Sequence, residues 1–513
     1  MRRIAVLLAA VLMVLLAGCA LPARPDGPVS TALADPSTTT LYRMVDQRLP
    51  HDGRSGFRIL PVASYAFATR IALAQRAEKT LDVQYYLFKN DNTGRAVMRA
   101  LANAAARGVR VRVLIDDLYS IGEDRILADL NSLPNVEVRL FNPFAGGRSN
   151  STLRLLGAAF DLERINRRMH NKLFIADNSA ALVGGRNLAD EYFMNATGSN
   201  FVDIDVFVAG PSVPELSRAF DQYWNSDRTY TLQSVVDVPA DVPAARAEFR
   251  HLTDEADGPP PDNLPAEFSQ YSTLPTEIRD GVLLPLEPAS AKVIADDPNK
   301  PLHLLDRTIP TVTRTVLAKI SEANGSVEIV SPYFVPGDIG ISMMKAAKAE
   351  PGTIRVFTNS LASTDAPLAE NGYMGYRKRM LENNVDLYEM SPTLTRSRER
   401  LGAFRRSLGS LHAKCVIIDR RFVFLGSMNL DARSSLENTE VGVIIDSSPI
   451  ANQIANLLDL GSFYHLRLDD AGEIEWISND ETGEHVFHHD PETTWWQRVT
   501  PAFTGFFVPE DQL

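Results

Sequence analysis

Only two cysteines occur in 513 residues, Cys19 and Cys415, so no disulfide framework is expected to hold this chain together. Positive charge is also short. Lys and Arg number 52 against 64 Asp and Glu, a formal net charge of −12, which opposes general nucleic-acid binding. The apolar run from Ile4 to Gly18 is fifteen residues long, below the about 20 that a spanning helix needs. Behind Arg2-Arg3 it reads as a secretory signal instead. Regular metal-ligand spacing is missing too: His488-His489, near Trp476 and Trp495-Trp496, has no cysteine beside it, so surface or packing roles are expected there and no metal. Apolar residues, by contrast, make up 45% of the chain, enough at this length for two or more core-forming domains.

One constellation occurs twice, 242 residues apart. His170-Asn171-Lys172, Asp177 and Gly184-Gly185-Arg186-Asn187 recur as His412-Ala413-Lys414, Asp419 and Gly426-Ser427-Met428-Asn429. His to Lys is two residues, Lys to Asp five, Asp to the first Gly seven, and that Gly to Asn three, in both copies. His and Lys at i, i+2 share one face of an extended strand. The apolar runs Leu173 to Ala176 and Cys415 to Ile418 continue those strands, the Asp begins a reversal, and Ala180 to Val183 and Phe422 to Leu425 return. Each return ends in Gly-Gly or Gly-Ser, where backbone can approach a ligand closely, and brings an Asn to the same edge. Each copy is therefore expected to be a β-hairpin presenting imidazole, ammonium and carboxamide together.

That set suits a phosphodiester. Lys and Asn can hold non-bridging oxygens while imidazole attacks phosphorus or carries a proton. A lone His on a strand is more often structural than catalytic; duplication with the full spacing is what makes these two a site. The pattern is similar to the phospholipase D superfamily, whose two H-x-K-x4-D-x6-G-x-x-N motifs meet at a shared active site. Gly185 stands where that family commonly places a Ser, as Ser427 does in the second copy; both are candidate substrate contacts.

The resemblance implies a covalent phosphohistidine on one imidazole, with the other protonating the leaving alcohol and then deprotonating the acceptor. His170 is the expected nucleophile and His412 the acid/base, although the roles could be reversed. Lys172, Asn187, Lys414 and Asn429 complete the expected catalytic set, and Asp177 and Asp419 are structural. Each imidazole needs an orienting partner on its far nitrogen. Asp203 and Glu440 match the family's acids in position, and ordinary strand-end charges are the alternative reading. The chemistry implied uses no metal or other cofactor.

The repeat divides the chain. Leu81 to Tyr86 and Val327 to Tyr333 are each a strand leading to a catalytic hairpin, followed by helical stretches at Gly94 to Arg107 and Ile339 to Ala349 and then apolar strands at Val109 to Ile115 and Thr353 to Thr358. This order reads as α/β with a largely parallel sheet. The expectation is two phospholipase D-like α/β/α domains, 55–234 and 266–460, packed face to face about a pseudo-twofold with a shared active site. A Pro-rich linker, 235–265, would join them, and 461–513 would be an extension.

Leu16-Ala17-Gly18-Cys19 resembles a bacterial lipobox, with residues 1–18 removed and Cys19 acylated. Ala20 after it is the usual signal for the outer membrane, facing the periplasm. Residues 19–54 would be the tether, and loss of Arg2 and Arg3 takes the net charge to about −14. Local charge is different: Arg164, Arg167 and Arg168 precede His170, and Arg396, Arg398, Arg400, Arg405 and Arg406 precede His412. Basic runs beside both hairpins favour an anionic headgroup or a membrane surface. Leu394, Leu401, Phe404 and Leu408 could lay the second run on lipid, or pack on the domain.

Further segments narrow the resemblance to the bacterial cardiolipin synthase C type: Tyr85-Tyr86, Arg107 to Val111 with Asp116-Asp117, Ser331 to Phe334, Thr358 to Leu361 and Gly426 to Ser434. That subgroup implies transfer of a phosphatidyl group onto phosphatidylglycerol, with phosphatidylethanolamine as donor. Glu370 stands where the subgroup commonly has a His. A hydrolytic phospholipase D or endonuclease shares every catalytic residue and differs in whether water or an alcohol reaches the phosphohistidine. A tethered binding protein with a decayed site is disfavoured, because both His, both Lys and both Asn are intact.

Overall fold

The computed structural model describes residues 29–144, 148, 162–262, 264, 266–300, 310–346, 352–393, 408–458, 460–480 and 482–498. The lipobox with Cys19, and the arginines and apolar residues from Leu394 to Arg406, lie outside them.

Twenty strands appear among the described residues. In the first half these are β1 (Ser55–Leu60), β2 (Thr80–Tyr85), β3 (Arg110–Asp116), β4 (Val136–Phe141), β5 (Leu173–Ala176), β6 (Ala180–Gly184), β7 (Ser199–Val202), β8 (Asp205–Ala209) and β9 (Thr229–Thr231). The second half carries β10 (Glu287–Ala295), β11 (Val327–Val330), β12 (Ile354–Asn359), β13 (Val385–Met390), β14 (Leu408–Leu411), β15 (Cys415–Ile418), β16 (Phe422–Gly426), β17 (Val441–Asp446), β18 (Phe463–Leu468), β19 (Ile474–Asp480) and β20 (Gly483–Phe487).

Hydrogen bonding orders the first sheet β9-β4-β3-β2-β5-β6-β8-β1. The second repeats it as β18-β13-β12-β11-β15-β16-β17-β10, with β19 and β20 added outside β18. Only β2-β3-β4 and β11-β12-β13 are parallel, so the sheets are mixed rather than largely parallel. Strand-helix-strand crossovers build the parallel part, as expected; the catalytic hairpin then inserts antiparallel against β2 or β11, a pairing that local order does not reveal. β1 pairs antiparallel with β10 and joins the two sheets at the pseudo-twofold. Their inner faces also share a core, with Ile59, Ile175, Val183, Val206 and Val208 packed in one cluster with Ile417, Val423, Leu425, Val443 and Ile445.

Two expected excursions are packed instead. Residues 235–265 contain a helix, Val242–Asp254, capped by Asp241 accepting from Ala244 N, with Pro243 in its first turn. Proline there fits the helix start, where its missing N–H has no partner to lose. The helix buries Ala245 and Phe249, and Arg99 donates to the carbonyls of Thr253 and Asp254 at its end. In the expected tether, residues from Val29 onward lie on the first half. Arg112 and Asn225 donate to Ser30 O at 2.9 Å, and a helix, Thr40–Asp46, buries Leu41, Met44 and Val45.

Candidate active site

The two hairpins close with the same two-residue turn. Asp177 and Asn178 in one, Asp419 and Arg420 in the other, all have positive φ, and Ser179 N and Arg421 N donate across the turns at 3.0 Å. This is the turn whose twist matches paired strands. The motif Asp also holds the hairpin to the sheet: Asp177 accepts from Glu78, Lys79 and Thr80 N–H at 2.7–2.9 Å. Asp419 accepts likewise from Asn324, Gly325 and Ser326 at 2.7–3.1 Å.

At the other end of each hairpin, the histidine takes its position from the opposite half. β7 pairs parallel with β14, and His412 N donates to Val202 O at 2.8 Å. Across the pseudo-twofold Met169 bridges Thr439, and His170 N donates to Thr439 O at 2.9 Å. The next residues in the accepting segments are Asp203 and Glu440. The acids are therefore crossed. His412 Nδ1 lies 2.7 Å from Asp203 Oδ2, and His170 Nδ1 lies 3.0 and 3.1 Å from the two Glu440 oxygens. The carboxylates occupy Nδ1 on both rings and leave Nε2 of His170 for chemistry, while Lys414 Nζ lies 3.0 and 3.1 Å from Nδ1 and Nε2 of His412.

Each acid is held differently. Ser427 Oγ and Ser434 Oγ donate to Glu440 at 2.5 and 2.9 Å. Asp203 receives no such hydroxyl, because Gly185 takes the place of Ser427: a Cβ on Gly185 would collide with the Asp203 carboxylate. The shorter acid thus fills the room that the glycine leaves. A buried cation braces each acid-bearing segment. Arg186 donates to the carbonyls of Leu60, Pro61 and Asp203, while Lys300 donates to Asp296, Ser434 O and Asn438 O at 2.7–2.8 Å.

Lys172 and Lys414 Nζ each donate 2.6 Å to the carbonyl of their own histidine. Burial holds Lys172 well below the usual lysine range and brings Lys414 to about 8. Both imidazoles are pushed well below 6.5, by burial first and then by the two lysines, each ring responding to the lysine of either half. Burial also raises Glu440 to about 7 and raises Asp203. An anionic diester between the two lysines would offset the like charge that keeps the imidazoles neutral and would favour a proton on one of them.

Asn187 Nδ2 donates to Tyr192 Oη at 2.9 Å, and Asn429 N lies 3.3 Å from Ser434 Oγ. Asn187 Oδ1 and Asn429 Oδ1 are buried without a hydrogen-bond partner. Turning the Asn187 amide over would let Tyr192 donate to its oxygen and put its NH2 where the unpartnered oxygen now lies.

Aromatic rings line the site. Tyr86 packs edge-on to His170 at 4.9 Å. Tyr192 and Phe201 pack on His412 at 4.9 and 5.0 Å, with Tyr333 at 6.5 Å. Tyr86 and Tyr333 follow β2 and β11 one residue out of step, since Gln84 and Val330 hold the same place against the hairpins; aligning the halves would not have paired them. Tyr192 and Ser434 both lie five residues past the motif Asn, a match of spacing without a match of residue. Asp365 and Lys300 had no sequence signal.

Other expectations fall elsewhere. Arg168, in the run before His170, is fully buried and donates to Ile165 O and Asn142 O; Arg164 donates to Asn142 and Pro143. These two brace the scaffold rather than form a lipid-facing patch. Glu370 is buried against Arg377, which also pairs with Glu389 and Asp490, and Trp476 donates to Glu389. Cys415 is a buried free thiol. His488 is exposed, 3.5 Å from Glu475. No helix among the described residues is long and apolar enough to cross a membrane.

Paired His-Lys-Asn sets meeting between two repeated α/β halves define a phosphodiester-processing enzyme of phospholipase D type. A family model described as cardiolipin synthase, PLD-like domain, matches residues 71–224 and again 316–459. Cardiolipin synthase C of Escherichia coli (strain K12) is 38% identical over 468 residues, 88% of this chain and 94% of that protein. Cardiolipin synthase of Geobacillus kaustophilus (strain HTA426) is 24% identical over 75% of this chain and 62% of that protein. In fold alone, phosphatidylserine synthase of Haemophilus influenzae Rd KW20 matches with a TM-score of 0.54 over 91% of this chain and 97% of that one, at 12% identity. The chain belongs to the cardiolipin synthase family of the phospholipase D superfamily, a class of phosphatidyltransferases.

Proposed function

We propose that this enzyme transfers a phosphatidyl group from phosphatidylethanolamine to phosphatidylglycerol, forming cardiolipin and ethanolamine, through a phosphohistidine. The observation that carries the reading is the crossed pair of His–carboxylate contacts, Glu440 on His170 and Asp203 on His412. Neutral His170 Nε2 attacks phosphorus as the bond to the headgroup oxygen breaks, and protonated His412 gives that oxygen its proton. The acceptor hydroxyl then loses its proton to His412 and attacks phosphorus, and the bond to His170 breaks. Lys172, Lys414, Asn187 and Asn429 hold the non-bridging oxygens throughout.

The short Asp203 contact on His412 supports this division, since an acid must be stabilised as imidazolium. Ser427 acts here through Glu440, and Gly185 by making room for Asp203; neither needs to touch substrate. Leu16 to Cys19 supports a lipid anchor on Cys19 at the bacterial envelope, outer membrane facing the periplasm. Such tethering raises the local concentration of acceptor lipid and favours transfer over hydrolysis.

Purified protein in mixed micelles of the two lipids, with the donor labelled in its phosphatidyl group, tests the reaction. Label in cardiolipin is the expected result. Label only in phosphatidic acid would make the enzyme a hydrolase; cleavage of a nucleic-acid diester with no lipid turnover would overturn the lipid reading.

A further inference from the structure

The half-sites differ most at their outer edge. Beside His170, Tyr86 meets Tyr119 edge-on at 5.3 Å, and Tyr119 is 53% exposed. Beside His412 the outer phenol is bound to a carboxylate instead: Tyr333 Oη donates to both oxygens of Asp365 at 2.9 Å. Asp365 is on the loop that follows β12; burial of its carboxyl among these groups raises its pKa, against the Tyr333 hydroxyl and Lys414, which favour the ionised form, and a cationic amine would do the same. Tyr192, from the first half, and Tyr333, from the second, both lie edge-on to His412 at 4.9 and 6.5 Å, so rings from the two halves and one carboxylate gather over the His412 side. Electron-rich ring faces together with an anion favour an organic ammonium. They disfavour a second phosphate, which the buried lysines already serve.

We infer that Asp365, with Tyr333 and Tyr192, forms a subsite for the ammonium of the leaving headgroup, so that the enzyme selects donor diesters whose alcohol carries a cationic amine. The inference rests on the proposed function and deepens it. An amino alcohol leaving from phosphorus would place its oxygen at His412, the proposed acid, and its short arm would carry the amine towards Tyr333 and Asp365. Among the described residues the outer ring partner of Tyr86, beside His170, is another tyrosine, Tyr119.

Binding, which needs no turnover, separates this inference from the reaction. Calorimetric titration of the full chain with glycerophosphoethanolamine and with glycerophosphoglycerol should show the amine diester bound about tenfold more tightly. Asp365→Asn keeps an acceptor for Tyr333 and removes the charge. It should abolish the preference by weakening the amine diester alone, and Asp365→Glu should restore part of it. Equal affinities in the wild-type protein, an Asp365→Asn variant that keeps the preference, or one that weakens both ligands alike would each overturn the subsite. Label transfer to cardiolipin stands or falls separately, by the product assay.

Discussion

The crossed acids make a prediction that separates the two histidines. Asp203→Asn leaves a group of nearly the same shape but removes the charge from a fully desolvated contact 2.7 Å from His412 Nδ1. Losing the carboxylate that fixes the imidazole's tautomer and stabilises its imidazolium costs roughly 10²- to 10⁴-fold in rate. Glu440→Gln should cost a similar factor at His170. With a phosphatidyl donor carrying ethanolamine, both variants should therefore be severely impaired. A donor carrying 4-nitrophenol needs little protonation to depart, so His412 matters less to its first step. The first-turnover burst of 4-nitrophenolate, followed by stopped-flow absorbance, should fall by no more than about tenfold in Asp203→Asn while remaining severely reduced in Glu440→Gln. Equal losses in the two variants would refute the division of roles. The opposite pattern would make His412 the nucleophile.

In the proposed mechanism the histidines act as a unit, so His170→Ala and His412→Ala should each remove nearly all turnover, and the double variant should be hardly worse in the lipid transfer assay; substantial activity in either single variant sinks the mechanism. Folded-state burial raises Glu440 from 4.5 to about 7, so its contribution to stability is present at low pH and declines as pH rises through that window, by on the order of 3 kcal/mol. Melting curves should accordingly show Glu440→Gln gaining on the wild-type protein between pH 5 and pH 8, and a difference that is flat or reversed would contradict the burial argument. Arg377→Met strands Glu370, Glu389 and Asp490 and should destabilise the second half by about 3–5 kcal/mol in denaturant titration. Cys19→Ala should leave the catalytic domains folded but release the protein from the envelope, with mass spectrometry of the mature N-terminus reporting whether residue 19 is acylated.

The sequence carried what is local. Hairpin, turn and motif geometry follow from residues within twenty positions of one another, so the spacing of His170, Asp177 and Asn187 implied the hairpin that the structure contains. The partner of each histidine is not local: Glu440 lies 270 residues from His170, and nothing in either motif says that the acids exchange between halves. Composition also misled where it disguised short patterns. Pro243 looked like a breaker and stands in a helix's first turn; Leu41, Met44 and Val45 form a buried stripe inside a stretch that reads as tether. Basic residues before His170 looked like one patch, yet Arg168 is in the interior. Charge density along a chain does not distinguish a solvated arginine from one that satisfies buried carbonyls.

The exchange has a structural consequence for the enzyme as a whole. Backbone hydrogen bonds from His170 to Thr439 and from His412 to Val202 fix each imidazole to the segment bearing its acid, while β1 and β10 fix the halves to one another. Register between the halves therefore sets the geometry of both dyads at once. Neither half alone has an oriented histidine, and a shift across the shared core would disturb both catalytic roles together. The same dependence explains why the halves can differ in detail, Gly185 with Asp203 against Ser427 with Glu440, without losing the pair. What must be conserved in space is the distance from carboxylate to Nδ1, and a shorter acid over a glycine meets it as well as a longer acid held by serines.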